Sequence, residues 1–283
     1  MPQYRIGEMI SYVGGLVLLA AVLHASWNAI LHGNRDRFLS MTWMSIGIAA
    51  VAIVFVAFLP APAAASWPYV VASGFVHIGY NLSLVYAYRH GDLGEAYPIA
   101  RGSSPLLVTL GAALFAGERL VALHVVGIAL VSVGIISLAW QRNKVSYANA
   151  AAALLTGVTI ALYTVIDGIG VRLSGDSISY VAWTFVFYAL MPVVFATNRG
   201  WGALRAPRID IGSSVAGGIV SIVAYGIVVW AMQFGAMGAV SAIRETSVVF
   251  AVLIGRIFLN EQVTAKRFVS CVVIAAGAIC IGA

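Results

Sequence analysis

Four ionisable side chains lie well inside apolar runs of this 283-residue chain. Arg101 stands in YPIARGSSP, Asp167 in TVIDGIG, and Arg244 with Glu245 in VSAIRETSV. An Arg or Asp at the centre of a bilayer-spanning helix costs about 2.5–3.5 kcal/mol on insertion scales. Such residues are therefore expected to face a bundle interior or a water-filled cavity and to have partners there. Two chemistries suit them. Arginines at that depth bind an anionic group, or pin two parts of the protein together through a carboxylate or backbone carbonyls. A buried acid carries a proton or meets an ammonium group. Glu245 is the first candidate for the proton and Asp167 the second, although Asp167 is also spaced to pair with Arg172 at its helix end. Arg244 and Glu245 stand about 100° apart on a helix, so each is expected to find its partner elsewhere.

The elements that hold these residues follow from hydropathy. The chain is 61% hydrophobic and 9% charged, against about 25% charged in a soluble domain. It lacks the charge to cover a water-facing surface, so it reads as an integral membrane protein. A spanning helix needs about 20 mostly apolar residues. Ten runs qualify, roughly 10–32, 39–59, 69–88, 94–116, 121–140, 148–170, 177–197, 212–234, 237–259 and 264–282. The connections are too short for a soluble domain. The first run is too long for a signal-peptide core and is expected to stay as a span. A barrel would show shorter strands with period-two alternation. The fold class is therefore all-α, with ten transmembrane helices.

The runs repeat. GFVHIGYNLSLVYAYRHGDLG at 74–94 lies over GIVSIVAYGIVVWAMQFGAMG at 218–238, matching Gly74, Ala87, Gly91 and Gly94 with Gly218, Ala231, Gly235 and Gly238. RGSSPLLVTLGAALFAGERL at 101–120 lies over RETSVVFAVLIGRIFLNEQV at 244–263, matching Arg101, Ser104, Phe115 and Glu118 with Arg244, Ser247, Phe258 and Glu261. The halves are expected at 1–145 and 146–283. Five spans per half is odd, so the second half enters from the opposite side: an inverted repeat, with a site near the midplane where the halves meet. The copies differ beside the arginine, Gly102 in the first against Glu245 in the second.

An arginine in the fourth helix of each half, followed by a turn like Gly117-Glu118-Arg119, resembles the EamA-type transporters of the drug/metabolite transporter superfamily. The second copy departs from the pattern, with Asn260-Glu261-Gln262 in the turn. The resemblance implies a ten-helix transporter, usually an exporter of small metabolites such as amino acids, with both termini inside.

Residues four apart share a helix face. Tyr97 joins Arg101, Asn28 joins His24, Asn81 joins His77, Tyr163 joins Asp167 and Ser241 joins Glu245. Tyr80, Trp183 and Trp230 complete a candidate pocket. Each aromatic could equally anchor at the membrane interface, and each histidine could simply bond within a helix interface. Spans one, three, four, six, eight and nine are thus expected to line the site, and spans two, five and ten to pack or face lipid. Gly127, Ser132 and Gly134 suit close helix contact on span five. Glu118 and Glu261 are expected as solvated charges at span ends.

These residues point to a secondary transporter that exports a small anionic or zwitterionic metabolite by alternating access in the inner (plasma) membrane. Expected partners are the bilayer, the substrate and protons, with a monomer or homodimer as the working unit. The net charge of +6 reads as basic loops at an anionic leaflet, not as nucleic-acid binding. No cofactor or metal is expected: Cys271 and Cys280 are too few for a metal site, and GxxxxGK[ST] is missing from the sequence. HExxH and GxSxG are missing too, which leaves an intramembrane enzyme with little support. A channel-like permease is the nearer alternative, but buried unlike charges in an inverted repeat favour a coupled carrier. Connections after odd-numbered spans hold Arg35, Arg37, Arg89, Arg142, Lys144, Arg199, Arg205, Arg208, Lys266 and Arg267. The other side holds Arg5, Arg119 and Arg172. The positive-inside rule then places both termini outside, opposite to what the resemblance implies.

Overall fold

A computed structural model of the chain describes residues 6–90, 93–119, 121–139, 147–205, 210–258 and 262–282. Every regular element among them is a helix: α1 Ile6–Gly33, α2 Arg37–Phe58, α3 Trp67–His90, α4 Leu93–Phe115, α5 Ala122–Ala139, α6 Tyr147–Ser174, α7 Ser177–Val186, α8 Met191–Arg199, α9 Ile211–Ala231, α10 Met237–Glu245, α11 Ser247–Phe258 and α12 Ala265–Gly282, with short 3-10 turns between. In lipid a helix satisfies its backbone internally, which is why apolar runs fold this way. Seven of the described helical segments are long and apolar enough to cross a membrane. Polar connectors start the helices cleanly. Asp36, Asp176 and Asp210 accept bonds from the free N–H groups that open α2, α7 and α9.

Two of the apolar runs are interrupted. The seventh is split into α7 and α8 by a 3-10 turn over Phe187–Leu190, with Pro192 in the first turn of α8. The ninth breaks at Thr246, directly after Arg244 and Glu245. There the Thr246 N–H and hydroxyl both donate to the Ile243 carbonyl, at 3.1 and 2.6 Å. α4, by contrast, runs unbroken through Pro98 and Pro105. Pro105 has no N–H to give the Arg101 carbonyl, and the Ser104 hydroxyl stands 3.3 Å from that oxygen instead.

The helices pack as follows. α1 lies against α9, α10 and α11, α2 against α9 and α7, α3 against α6, and α4 against α5, α6 and α10. α5 and α12 form a pair at the edge. Gly127 and Gly277 let the α5 and α12 backbones meet, since a Cβ on either would stand 2.7 Å from the other's carbonyl oxygen. α5 and α12 are thus packing helices, as their composition predicts. α2 is not merely one: it turns Met41, Met44 and Ile48 toward the central cavity. A search for polar groups passes over such a wall because its contribution is apolar.

Candidate functional site

Two ionic clusters are buried at the centre of the bundle. In the first, α4 presents Arg101 and α10 presents Arg244 and Glu245, all at most 1% exposed. Arg101 Nη1 donates to Glu245 Oε2 at 3.0 Å. Arg244 donates to Glu245 Oε1 through Nε at 3.1 Å and Nη2 at 2.7 Å. Arg244 and Glu245 therefore do pair directly, against the expectation from helical spacing. The guanidinium arm is long enough to fold back over its neighbour, and 100° separates Cβ directions, not the ends of flexible side chains. The Ser104 hydroxyl lies 3.5 Å from the same carboxylate. Charge-assisted bonds of this kind are the strong ones. His24 of α1 touches Arg101 Nη2 with its Nε2, and Trp27 donates to His24 Nδ1 at 3.2 Å.

The second cluster surrounds Asp167 of α6, which is fully buried. Its Oδ1 accepts from the Tyr180 hydroxyl at 2.9 Å and its Oδ2 from the Tyr225 hydroxyl at 2.6 Å. His77 Nε2 stands 4.0 Å from Oδ2, and its Nδ1 lies 3.0 Å from the Ser73 carbonyl. The His77 ring is stacked on Tyr163 at 4.3 Å. Arg172 is not Asp167's partner. It runs to the bundle end, pairs with Glu118 at 2.5 Å and donates to the Met232 and Gly235 carbonyls. Glu118 is likewise not a free solvated charge. It accepts from the Met237 N–H at 3.0 Å, capping α10. Glu261 lies outside the described residues.

Between the clusters is a cavity with about 40 Å³ of water-accessible space. A water needs about 10–15 Å³ measured this way, so the cavity holds a few waters in this conformation. His24, His77, Tyr80, Asn81 and Tyr163, five of the residues singled out in the sequence, line it. Asn81 Nδ2 is buried there without a hydrogen-bond partner among the described residues. Arg101, Arg244 and Glu245 sit behind the wall, with His24 between Arg101 and the cavity. Spans four and nine thus supply charge at one remove, instead of lining. Asn28 turns back to the His24 carbonyl at 2.9 Å and is not in the wall. Trp183 packs on Trp67. Trp230 meets Tyr12 edge-on and Phe234 at a tilt, and borders a separate apolar groove of about 590 Å³ between α1, α2, α7 and α9. Neither tryptophan lines the polar cavity: large amphipathic rings fit several apolar surroundings, and helical spacing does not say which. The Tyr97 side chain lies outside the described residues.

Sequence reasoning missed Tyr188 and Tyr225, which line the cavity with Trp27, Phe185 and Ser221. A signal was present for two of these. The offset of 144 that aligns Gly74 with Gly218 also aligns His77 with Ser221 and Asn81 with Tyr225. All four line the cavity.

A multi-pass helical bundle with paired charges buried around a polar central cavity has the build of a membrane transport protein. The EamA-like transporter family matches residues 149–283, just under half of the chain, and the match supports an EamA-type transporter of the drug/metabolite transporter superfamily. A solved crystal structure, 20% identical, covers 96% of this chain and is itself covered over 96% of its length, with a TM-score of 0.73. At that identity it shows a shared fold along nearly the whole chain. No curated protein matches. The family and the apolar helices make this a multi-pass membrane transporter of a small molecule.

Proposed function

We propose that this transporter is a secondary carrier built from inverted halves, 1–145 and 146–283, which rock around the central cavity to export a small zwitterionic or anionic metabolite across the inner (plasma) membrane. One observation carries the reading: guanidiniums from the two halves, Arg101 and Arg244, converge on a single buried carboxylate. The three ionised groups together carry a charge of +1. A substrate carboxylate that reached them would compete with Glu245 for donors already in place, so little reorganisation is needed at binding.

Three further observations support the reading. Exchanging the halves maps contact onto contact: α4 on α6 corresponds to α10 on α1, and α3 on α6 to α9 on α1. Among the described residues, neither the buried hydroxyl of Ser241, one turn before Glu245, nor Asn81 Nδ2 at the cavity has a hydrogen-bond partner. Buried polar groups are normally satisfied, and a polar substrate supplies what these lack. Glu245 and Asp167 give the acids that couple transport to protons.

The test is a thermal-shift screen of purified protein against amino acids, phosphonates and amines. A carboxylate-bearing compound is expected to stabilise the protein, by about 2.7 kcal/mol at a hundredfold excess over its Kd. Arg244→Lys should abolish the shift, because an ammonium cannot reproduce the guanidinium fork. Stabilisation by amines alone, unaffected by Arg244→Lys, would refute the anion-binding role.

A further inference from the structure

We infer that Asp167 and His77 form the site where a proton is exchanged for the substrate's ammonium group, on the wall of the cavity away from the arginines. The inference rests on the transport reading above and names the coupling partner of that same cavity.

The two buried acids are held differently. Glu245 is clamped by two guanidiniums, with three N–H bonds to its oxygens. Asp167 meets neutral donors: Tyr180 of α7 and Tyr225 of α9. On α3 it faces His77 at 4.0 Å, and His77 is in turn held at Ser73. On its own helix α6 the neighbouring titratable group is Tyr163, stacked on His77. Arg244 of α10 acts on His77 electrostatically. One proton shared between Asp167 and His77 leaves the pair neutral, or an imidazolium beside a carboxylate. Without that proton the pair carries −1 at the centre of the bundle, and a buried charge must be neutralised. A cationic group in the cavity would do so. His77 and Tyr225 both line the cavity and both reach Asp167, so proton and cation cannot be indifferent to each other.

The step balances simply. The O–H bond of Asp167 breaks, its proton passes through a cavity water to His77 Nε2, 4.0 Å away, and on to bulk water, and the arriving ammonium replaces the lost positive charge. Departure of the ammonium on the other side lets a proton from water return to the carboxylate. The carboxylate end of a zwitterion stays with Arg101 and Arg244 throughout, which gives the cavity a basic wall and an acidic wall.

The probe is methylammonium, small enough to enter the cavity in its present size, with acetate as control. Infrared difference spectra of the purified protein in detergent should show a protonated-carboxyl band that methylammonium removes and acetate leaves. Asp167→Asn should abolish the band while keeping helical circular dichroism and a single elution peak. Tyr225→Phe should shift it without removing it, and this milder variant carries the test if Asp167→Asn does not fold. Overturning results are a band untouched by methylammonium, or one lost in Glu245→Gln but kept in Asp167→Asn. Absence of transport in vesicles with the band response intact would remove the carrier reading and leave this site standing.

Discussion

Glu245 accepts from two arginines at once, and this fixes what its removal does. Glu245→Ala removes the carboxylate that both buried guanidiniums bond. Breaking a buried pair by removing one partner costs about 3–5 kcal/mol, so the variant should unfold in detergent at clearly lower denaturant than wild type. Arg101→Ala should cost less, because Arg244 still neutralises the carboxylate. Equal stability of Glu245→Ala and wild type would show that the cluster does not hold α4 to α10. The position that matches Glu245 in the other half is governed by packing. A Cβ on Gly102 would lie 2.6 Å from Ile136 Cγ1 and 3.0 Å from the Ser132 carbonyl oxygen. No acid fits there, so the first half cannot carry a second copy of Glu245. Gly102→Ala is expected to cost about 1–3 kcal/mol through overpacking, read as a lowered thermal midpoint. An unchanged midpoint would mean that α5 yields freely.

At the scale of elements, the proposed transport cycle requires the cavity to widen, and two partly exposed ion pairs join the helices around it. Glu118 and Arg172 join the α4–α5 turn to the end of α6 and to the start of α10. Asp36 and Arg199 join the start of α2 to the end of α8 at 2.5 Å, with Arg199 over the Phe38 and Phe195 rings. If the apolar runs cross the bilayer in turn, as proposed above, these two pairs stand on opposite sides of it. The arginines are 31% exposed, and partly exposed pairs contribute only about 0.2–1 kcal/mol. A contact that weak can open during turnover. The measurement is labelling of Ser221→Cys, in the cavity wall, after replacement of Cys271 and Cys280. Asp36→Asn should raise labelling from one side of the membrane and Glu118→Gln from the other, each by about twofold to fivefold, the range that such energies allow. The same side responding to both would disprove the two-mouth arrangement. Of these elements, the helices and their approximate ends were legible in hydropathy. The breaks at Phe187–Leu190 and Thr246 were not, because apolar runs look alike whether or not a turn tightens.

For the whole molecule, the charge distribution decides orientation. In the sequence, ten Lys and Arg fall in the connections after odd-numbered apolar runs and three in the others. The basic side should face the cytoplasm, which puts both termini outside. A cysteine added at either terminus of the protein without Cys271 and Cys280 should then react with an impermeant reagent on intact cells. Protection until the membrane is opened would reverse the assignment, and with it the side on which each ion-pair latch stands. The lining residues were about half legible. His24, His77, Tyr80, Asn81 and Tyr163 stood out as polar or aromatic groups spaced by helical turns. Met41, Met44 and Phe185 did not, because an apolar side chain in an apolar helix announces no direction.

By itself the sequence determined that this chain lives in a membrane, that its spans are helices, and that four ionisable groups must be paired inside. Each of these follows from the cost of exposing backbone or charge to hydrocarbon, which depends on residue type and run length alone. Only the tertiary structure decided who pairs with whom. It set Arg244 on its neighbour Glu245, joined Arg101 of α4 to the same carboxylate, and gave Asp167 two tyrosines and a histidine in place of Arg172. Pairing depends on where flexible arms end once the apolar helices have packed, and bonded neighbours such as Ser40 and Ser214 lie 174 residues apart in sequence.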